Sequence, residues 1–126
     1  MQGEVRICKQ LNIVIYEREV TVARILANYF HTDVFLVHRQ ANAKTPDLKI
    51  GNQYWEIKSP IGASRRTIEN NLRKASRQSS NVIIDLHRIR VSNDRAIRRA
   101  KDSVKKVSVI DKALVIDKNF KVIRLK

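Results

Sequence analysis

The chain has 126 residues, 43% of them hydrophobic, with 26 Lys and Arg against 12 Asp and Glu and a formal net charge of +14 at pH 7. That length fits one domain whose core needs no disulfide staple, and the apolar fraction excludes a disordered basic tail. No apolar run is long enough to span a membrane, the N-terminus lacks a signal-peptide pattern, and the charge excess calls for a polyanionic partner, with an acidic membrane surface or acidic protein as rivals.

Residues 1–15, including Ile13-Val14-Ile15, are expected to form one or two short strands or an irregular lead-in, with the single cysteine, Cys8, as a packed thiol in an early strand. From Glu17 to Thr32, Val22, Ile25, Leu26, Tyr29 and Phe30 recur at helical spacing and make one apolar face. Val34 to Val37 reads as a strand and Ala41 to Thr45 as a polar loop. Asp47-Leu48-Lys49-Ile50, then Gly51-Asn52, then Gln53-Tyr54-Trp55-Glu56-Ile57-Lys58 is a hairpin pattern: two alternating runs joined by a two-residue turn. A helix is expected over 65–79, a central apolar strand over 81–86, a basic helix over 93–107, and a closing hairpin over 113–116 and 121–125. The fold class is α/β: a single domain over 1–126, with a mixed central sheet flanked by helices.

The hairpin carries the chemistry. A two-residue turn pairs Ile50 with Gln53, so Lys49 meets Tyr54, Leu48 meets Trp55 and Asp47 meets Glu56. Strand alternation puts Glu56 and Lys58 on one face and Trp55 and Ile57 on the other. Opposed carboxylates repel, and a hard divalent cation between them removes the conflict. Lys58 is then placed to stabilise charge developing on a phosphate or to position a water. Charges on a solvated sheet face are the alternative.

In the following helix, Thr67, Asn71, Lys74 and Gln78 form one polar stripe suited to phosphate and sugar, beside an apolar stripe of Ile68, Leu72 and Ala75. Glu19 lies at the edge of the first helix's apolar face and is a candidate ligand for a metal or water, whereas Glu17 falls on the polar face with Thr21, Arg24 and Asn28. The basic helix is charged over most of its exposed surface and docks through Ile97, Ala100 and Val104, leaving Arg98 and Arg99 as candidate phosphate contacts. The low count of aromatics, three Phe, three Tyr and one Trp, favours phosphate contacts over base stacking.

Thr45-Pro46-Asp47 followed by Trp55-Glu56-Ile57-Lys58-Ser59-Pro60 resembles the PD-(D/E)xK nuclease signature, and the order of elements is similar to that superfamily's restriction-endonuclease-like core. More narrowly, the stretch from Glu19 through Gln78-Ser79-Ser80-Asn81-Val82-Ile83-Ile84-Asp85-Leu86 resembles the C-terminal toxin domains of CdiA-type contact-dependent growth inhibition effectors. The resemblance implies Asp47 and Glu56 as metal-binding acids, Lys58 as the catalytic lysine, Glu19 as a helix glutamate at the site, and Gln78 as a helix glutamine beside it. It implies a divalent cofactor, Mg²⁺ first and Mn²⁺ or Zn²⁺ as alternatives. The substrate it implies is nucleic acid, tRNA favoured over DNA, cut in the target-cell cytoplasm after delivery. It also implies a cognate immunity protein, expected to be acidic. The sequence begins at Met1 without the delivery stalk of a CdiA protein, so an excised toxin domain and a stand-alone protein are both open. Two rival functions stand beside this one: a metal-free barnase- or colicin-like ribonuclease using His31, His38 or His87, and a non-catalytic nucleic-acid-binding module.

Overall fold

In the computed structural model, residues 3–7, 13–37 and 45–126 are described. Expectations for Cys8, His38 and most of the 41–45 loop lie outside them. The described residues form seven strands and three helices in a mixed α/β plan. Contacts divide the chain into two compact units, Met1–Trp55 and Glu56–Lys126.

The first unit holds β1 (Val5–Ile7), α1 (Ile13–Phe30), β2 (Val34–Leu36), β3 (Leu48–Ile50) and the start of β4 (Gln53–Lys58). β1 runs parallel to β2, β2 antiparallel to β3, and β3 antiparallel to β4. The hairpin register is the expected one: Ile50 with Gln53, Lys49 with Tyr54, Leu48 with Trp55. Gly51 supplies the positive φ, +59°, that a tight two-residue turn needs at its first central position.

α1 begins at Ile13, so Ile13-Val14-Ile15 is helical and not the expected strand. A short β-branched run carries no period of its own, and the amphipathic helix behind it extends through it. The buried face of α1 is Val22, Ala23, Leu26 and Ala27, whereas Tyr29 is 41% exposed. The apolar stripe is therefore rotated towards the alanines, whose small side chains let the helix lie close on β1 and β2. His31 ends the helix in the left-handed region at φ 54°. Asp33 then ties β1 down: its carboxylate accepts from the Glu4 backbone N–H at 2.9 Å and from Arg6 Nε at 2.8 Å. Gly3 has to be glycine, because a Cβ there would collide with the Thr32 backbone.

The second unit holds the rest of β4, α2 (Thr67–Ser76), β5 (Asn81–Asp85), α3 (Asn93–Lys106), β6 (Lys112–Ile116) and β7 (Val122–Arg124). β4, β5 and β6 are parallel neighbours, and β7 returns antiparallel to β6. β5 is central, as its unbroken apolar run implies, and all five of its residues are buried. Its residues Val82 and Ile84 share a core with Ile68, Leu72 and Ala75 of α2 and with Ala96, Ala100 and Val104 of α3. Ser103 completes the docking side of α3, and Ile97, half-buried, packs against the same core as expected. Ser92 caps α3, its hydroxyl accepting from the Arg95 N–H at 3.3 Å. The closing hairpin turns on Asp117, whose Oδ1 accepts from the N–H groups of Asn119 and Lys121 at 2.8 and 2.9 Å. No helix among the described residues is long and apolar enough to cross a membrane.

Candidate active site

Parallel pairing sets Glu56 beside Val82 and Lys58 beside Ile84, so both charged residues stand on the strand face that α2 covers. Glu56 is 3% exposed there. Burying a carboxylate against aliphatic neighbours is costly unless hydrogen bonds and a counter-charge compensate. Both are present. Lys58 Nζ lies 3.3 Å from Glu56 Oε2. The Gln78 amide, oriented to satisfy the network, donates to Glu56 Oε1 at 2.8 Å and also to Oε2. Glu56, Lys58 and Gln78 are thus gathered in one unit, two of them from a single strand by period-two alternation.

Gln78 reaches Glu56 from a position the helical count does not describe. α2 ends at Ser76, and Gln78 sits in the turn beyond it, its backbone N–H donating to the Ala75 carbonyl at 2.9 Å. The rest of the stripe divides. Asn71 is half-buried and donates into its own helix, Nδ2 to the Thr67 carbonyl at 2.7 Å, while Lys74 is exposed.

The remaining candidates belong to the first unit. Asp47 is 3% exposed, and its backbone N–H donates at 3.1 Å to the carbonyl of Trp55, the residue already opposite Leu48, so the regular register ends at Leu48 and Asp47 sits in a bulge. Glu19 is half-buried on α1 and Glu17 exposed, the contrast expected from the helix phase. Among the described residues, no group of three or more His, Cys, Asp or Glu is assembled to hold a metal ion. Mg²⁺ keeps several waters and needs only one or two protein carboxylates.

Sequence reasoning missed a second polar cluster at the end of β5. Asp85, fully buried, accepts from Ser59 Oγ at 3.1 Å, pairs with His87 Nδ1 at 2.9 Å, and accepts the His87 backbone N–H at 3.3 Å. Arg88 adds a bond from Nη2 to the Ser59 carbonyl at 2.7 Å. The available signal was an aspartate closing an apolar run, Val82-Ile83-Ile84-Asp85, two residues before a histidine.

On the basic helix, Arg98 is exposed and Arg99 donates to the Ala63 carbonyl at 3.1 Å. Glu69 of α2 accepts from Arg73 Nε at 3.3 Å and pairs with Lys106 at 3.6 Å. Burial pushes the Glu69 carboxyl up, but the Arg73 hydrogen bond and the charges of Arg73 and Lys106 outweigh it and hold it below the usual range.

Comparison with known proteins bears on the family and the fold. The model of the contact-dependent growth inhibition CdiA C-terminal domain family matches residues 44–122, more than half of the chain, from before Asp47 into β7. The chain belongs to that family. This CdiA C-terminal domain also shares its fold with a solved structure, a CdiA-CT/CdiI toxin and immunity complex from Burkholderia pseudomallei. The TM-score is 0.72 at 22% identity, over 98% of this chain and 99% of that one. No protein of curated function matches the sequence.

Proposed function

We propose that this toxin domain is a metal-dependent nuclease with a PD-(D/E)xK active site, acting on nucleic acid and most readily on tRNA. One observation carries the reading: Glu56, a carboxylate buried on an otherwise aliphatic strand face, is held by Lys58 and by Gln78. A carboxylate kept charged in a low-dielectric setting by a lysine and an amide is the arrangement that metal-ligating acids use.

In this reading Asp47 and Glu56 are the acids that bind the cation. A divalent ion held there would polarise the scissile phosphate as a Lewis acid. Lys58 stabilises negative charge developing on the phosphorus oxygens. Gln78 keeps the Glu56 carboxylate in one orientation, and Glu19 positions a water. Thr67, Lys74, Arg98 and Arg99 meet the nucleic-acid backbone, with Asn71 bracing the helix that carries the first two. An immunity protein is expected as partner, as in the Burkholderia pseudomallei complex. An acidic one would associate quickly and in a salt-dependent way with a +14 domain. Action in the cytoplasm of a target cell follows from the same reading.

The test is cleavage of total tRNA and of plasmid DNA with and without Mg²⁺, by the wild type and by Asp47→Ala, Glu56→Gln and Lys58→Ala. Cleavage that requires the ion and disappears in all three folded variants supports the proposal. Full activity in any one of them removes that residue. The Asp85–His87 pair favours a second reading, a metal-free ribonuclease with His87 as acid–base group. Activity that survives EDTA and is lost in His87→Ala would establish it in place of the first.

A further inference from the structure

The second unit carries a groove of about 860 Å³ along α2 and α3, away from Glu56. Arg65 and Arg66 from the segment before α2, and Arg95, Arg98, Arg99 and Lys106 from α3, line it with Glu69 and Asp102. Glu69 is already committed to Arg73 and Lys106. Five arginines therefore remain against a single further acid, Asp102. Crowding like charges in this way raises the energy of the free protein, and a ligand with spaced negative charges relieves it. The cations lining the groove are arginines with one exception, and the planar guanidinium fork matches phosphate oxygens better than a lysine does. A groove of that size whose walls are nearly all charged suits an extended polyanion, not a small apolar molecule.

Its position relative to Glu56 is what matters. Ten residues of α2 span about 15 Å. Gln78, which holds Glu56, lies just past the C-terminal end of α2, and Arg65 and Arg66 lie just before its N-terminus. Glu56 shares the strand face that α2 covers. The groove thus opens roughly 15–20 Å from the candidate catalytic carboxylate and on the same side of the strands. At a rise of about 3.4 Å per nucleotide, that distance is about four to six nucleotides.

We propose that the α2–α3 groove is a distal binding site for the sugar–phosphate backbone of the substrate, engaging a stretch several nucleotides from the bond that is cut. The inference rests on the nuclease reading and deepens it: the domain requires a substrate long enough to occupy both places. Binding at the distal site lowers KM, and the chemistry stays at Glu56 and Lys58.

The experiment uses the full chain and a ladder of oligonucleotides from about 4 to about 40 nucleotides, chosen to fall short of and to exceed the span between the two places. The wild type is compared with Arg66→Glu/Arg95→Glu and with a charge-matched control on β7 and its turn, Lys121→Glu/Arg124→Glu. In the wild type and the control, kcat/KM is expected to climb about tenfold once length passes about six nucleotides. In Arg66→Glu/Arg95→Glu that gain should vanish, through KM and not kcat, and the salt slope of binding should fall by about 1.4–1.8. The same length gain in both variants overturns the proposal. So does retention of the gain by Arg66→Glu/Arg95→Glu alongside lost binding of an acidic partner protein, which would make the groove a protein grip. If the wild type, with Mg²⁺ present, cuts none of these and neither tRNA nor plasmid DNA, the nuclease reading fails. Anisotropy of a labelled 30-nucleotide strand on the same proteins then still reads the groove: weaker binding by Arg66→Glu/Arg95→Glu alone supports it, and equal binding by all three refutes it.

Discussion

Lys58→Met asks whether Glu56 is held as a buried charge. The Glu56 side chain is 4% exposed and that of Lys58 24%. Methionine keeps the aliphatic stem of the lysine and removes its charge, leaving the Gln78 amide to hold the carboxylate. Breaking a buried pair by removing one partner costs about 3–5 kcal/mol. Lys58 reaches solvent and Gln78 persists, so the loss should fall at or just below the bottom of that range, about 2–3 kcal/mol. For a chain of this length that is a drop in Tm of about 6–12 °C. Glu56→Gln/Lys58→Met should recover most of it, because a neutral amide loses little on burial and its carbonyl still accepts from Gln78. Both variants are expected to be inactive, which separates the stability role of the pair from the catalytic one. Urea and thermal melts followed by circular dichroism at pH 7 give the comparison. The reasoning is refuted if Lys58→Met lies within about 0.5 kcal/mol of the wild type, or if the double variant is no more stable than the single one.

Other expectations concern each unit by itself. The Arg6 hydrogen bond, with the Glu4 backbone N–H, holds the Asp33 carboxyl below the usual carboxylate range. Its contribution is therefore complete above the ordinary carboxylate pKa and is lost as pH falls through the depressed value; Asp33→Asn should flatten the acid limb of the stability profile, read as urea midpoint against pH. Phe120 sits at φ 66° with 58% of its surface exposed, so Phe120→Gly should raise stability by about 0.5–1 kcal/mol, and a lower Tm would contradict the strain argument. On α1, Glu19→Ala should impair cleavage far more than Glu17→Ala, and the reverse order in turnover assays would mean that the exposed carboxylate is the functional one.

What the sequence determined on its own is local in origin. The Gly51-Asn52 turn sets the β3–β4 register within a few residues, and alternation along one strand is enough to put Glu56 and Lys58 on a common face. The central place of β5 follows from an apolar run with no exposed side. The resemblance that pointed to the family was carried by the stretch from Glu19 through Leu86, and the family model matches residues 44–122. Tertiary structure decided the rest. Whether Ile13-Val14-Ile15 is strand or helix depends on what precedes and follows it, because a short apolar run has no period to read. Gln78 finds Glu56 from a turn beyond the helix, where a 100° count no longer applies. Asp85 meets Ser59 across 26 residues, and Arg99 reaches Ala63 across 36. Contacts at that separation follow from strand order and helix docking, not from any pattern within a window of the chain, and so the buried Asp85 cluster and the arginine groove emerge only when the parallel strands and their covering helices are assembled.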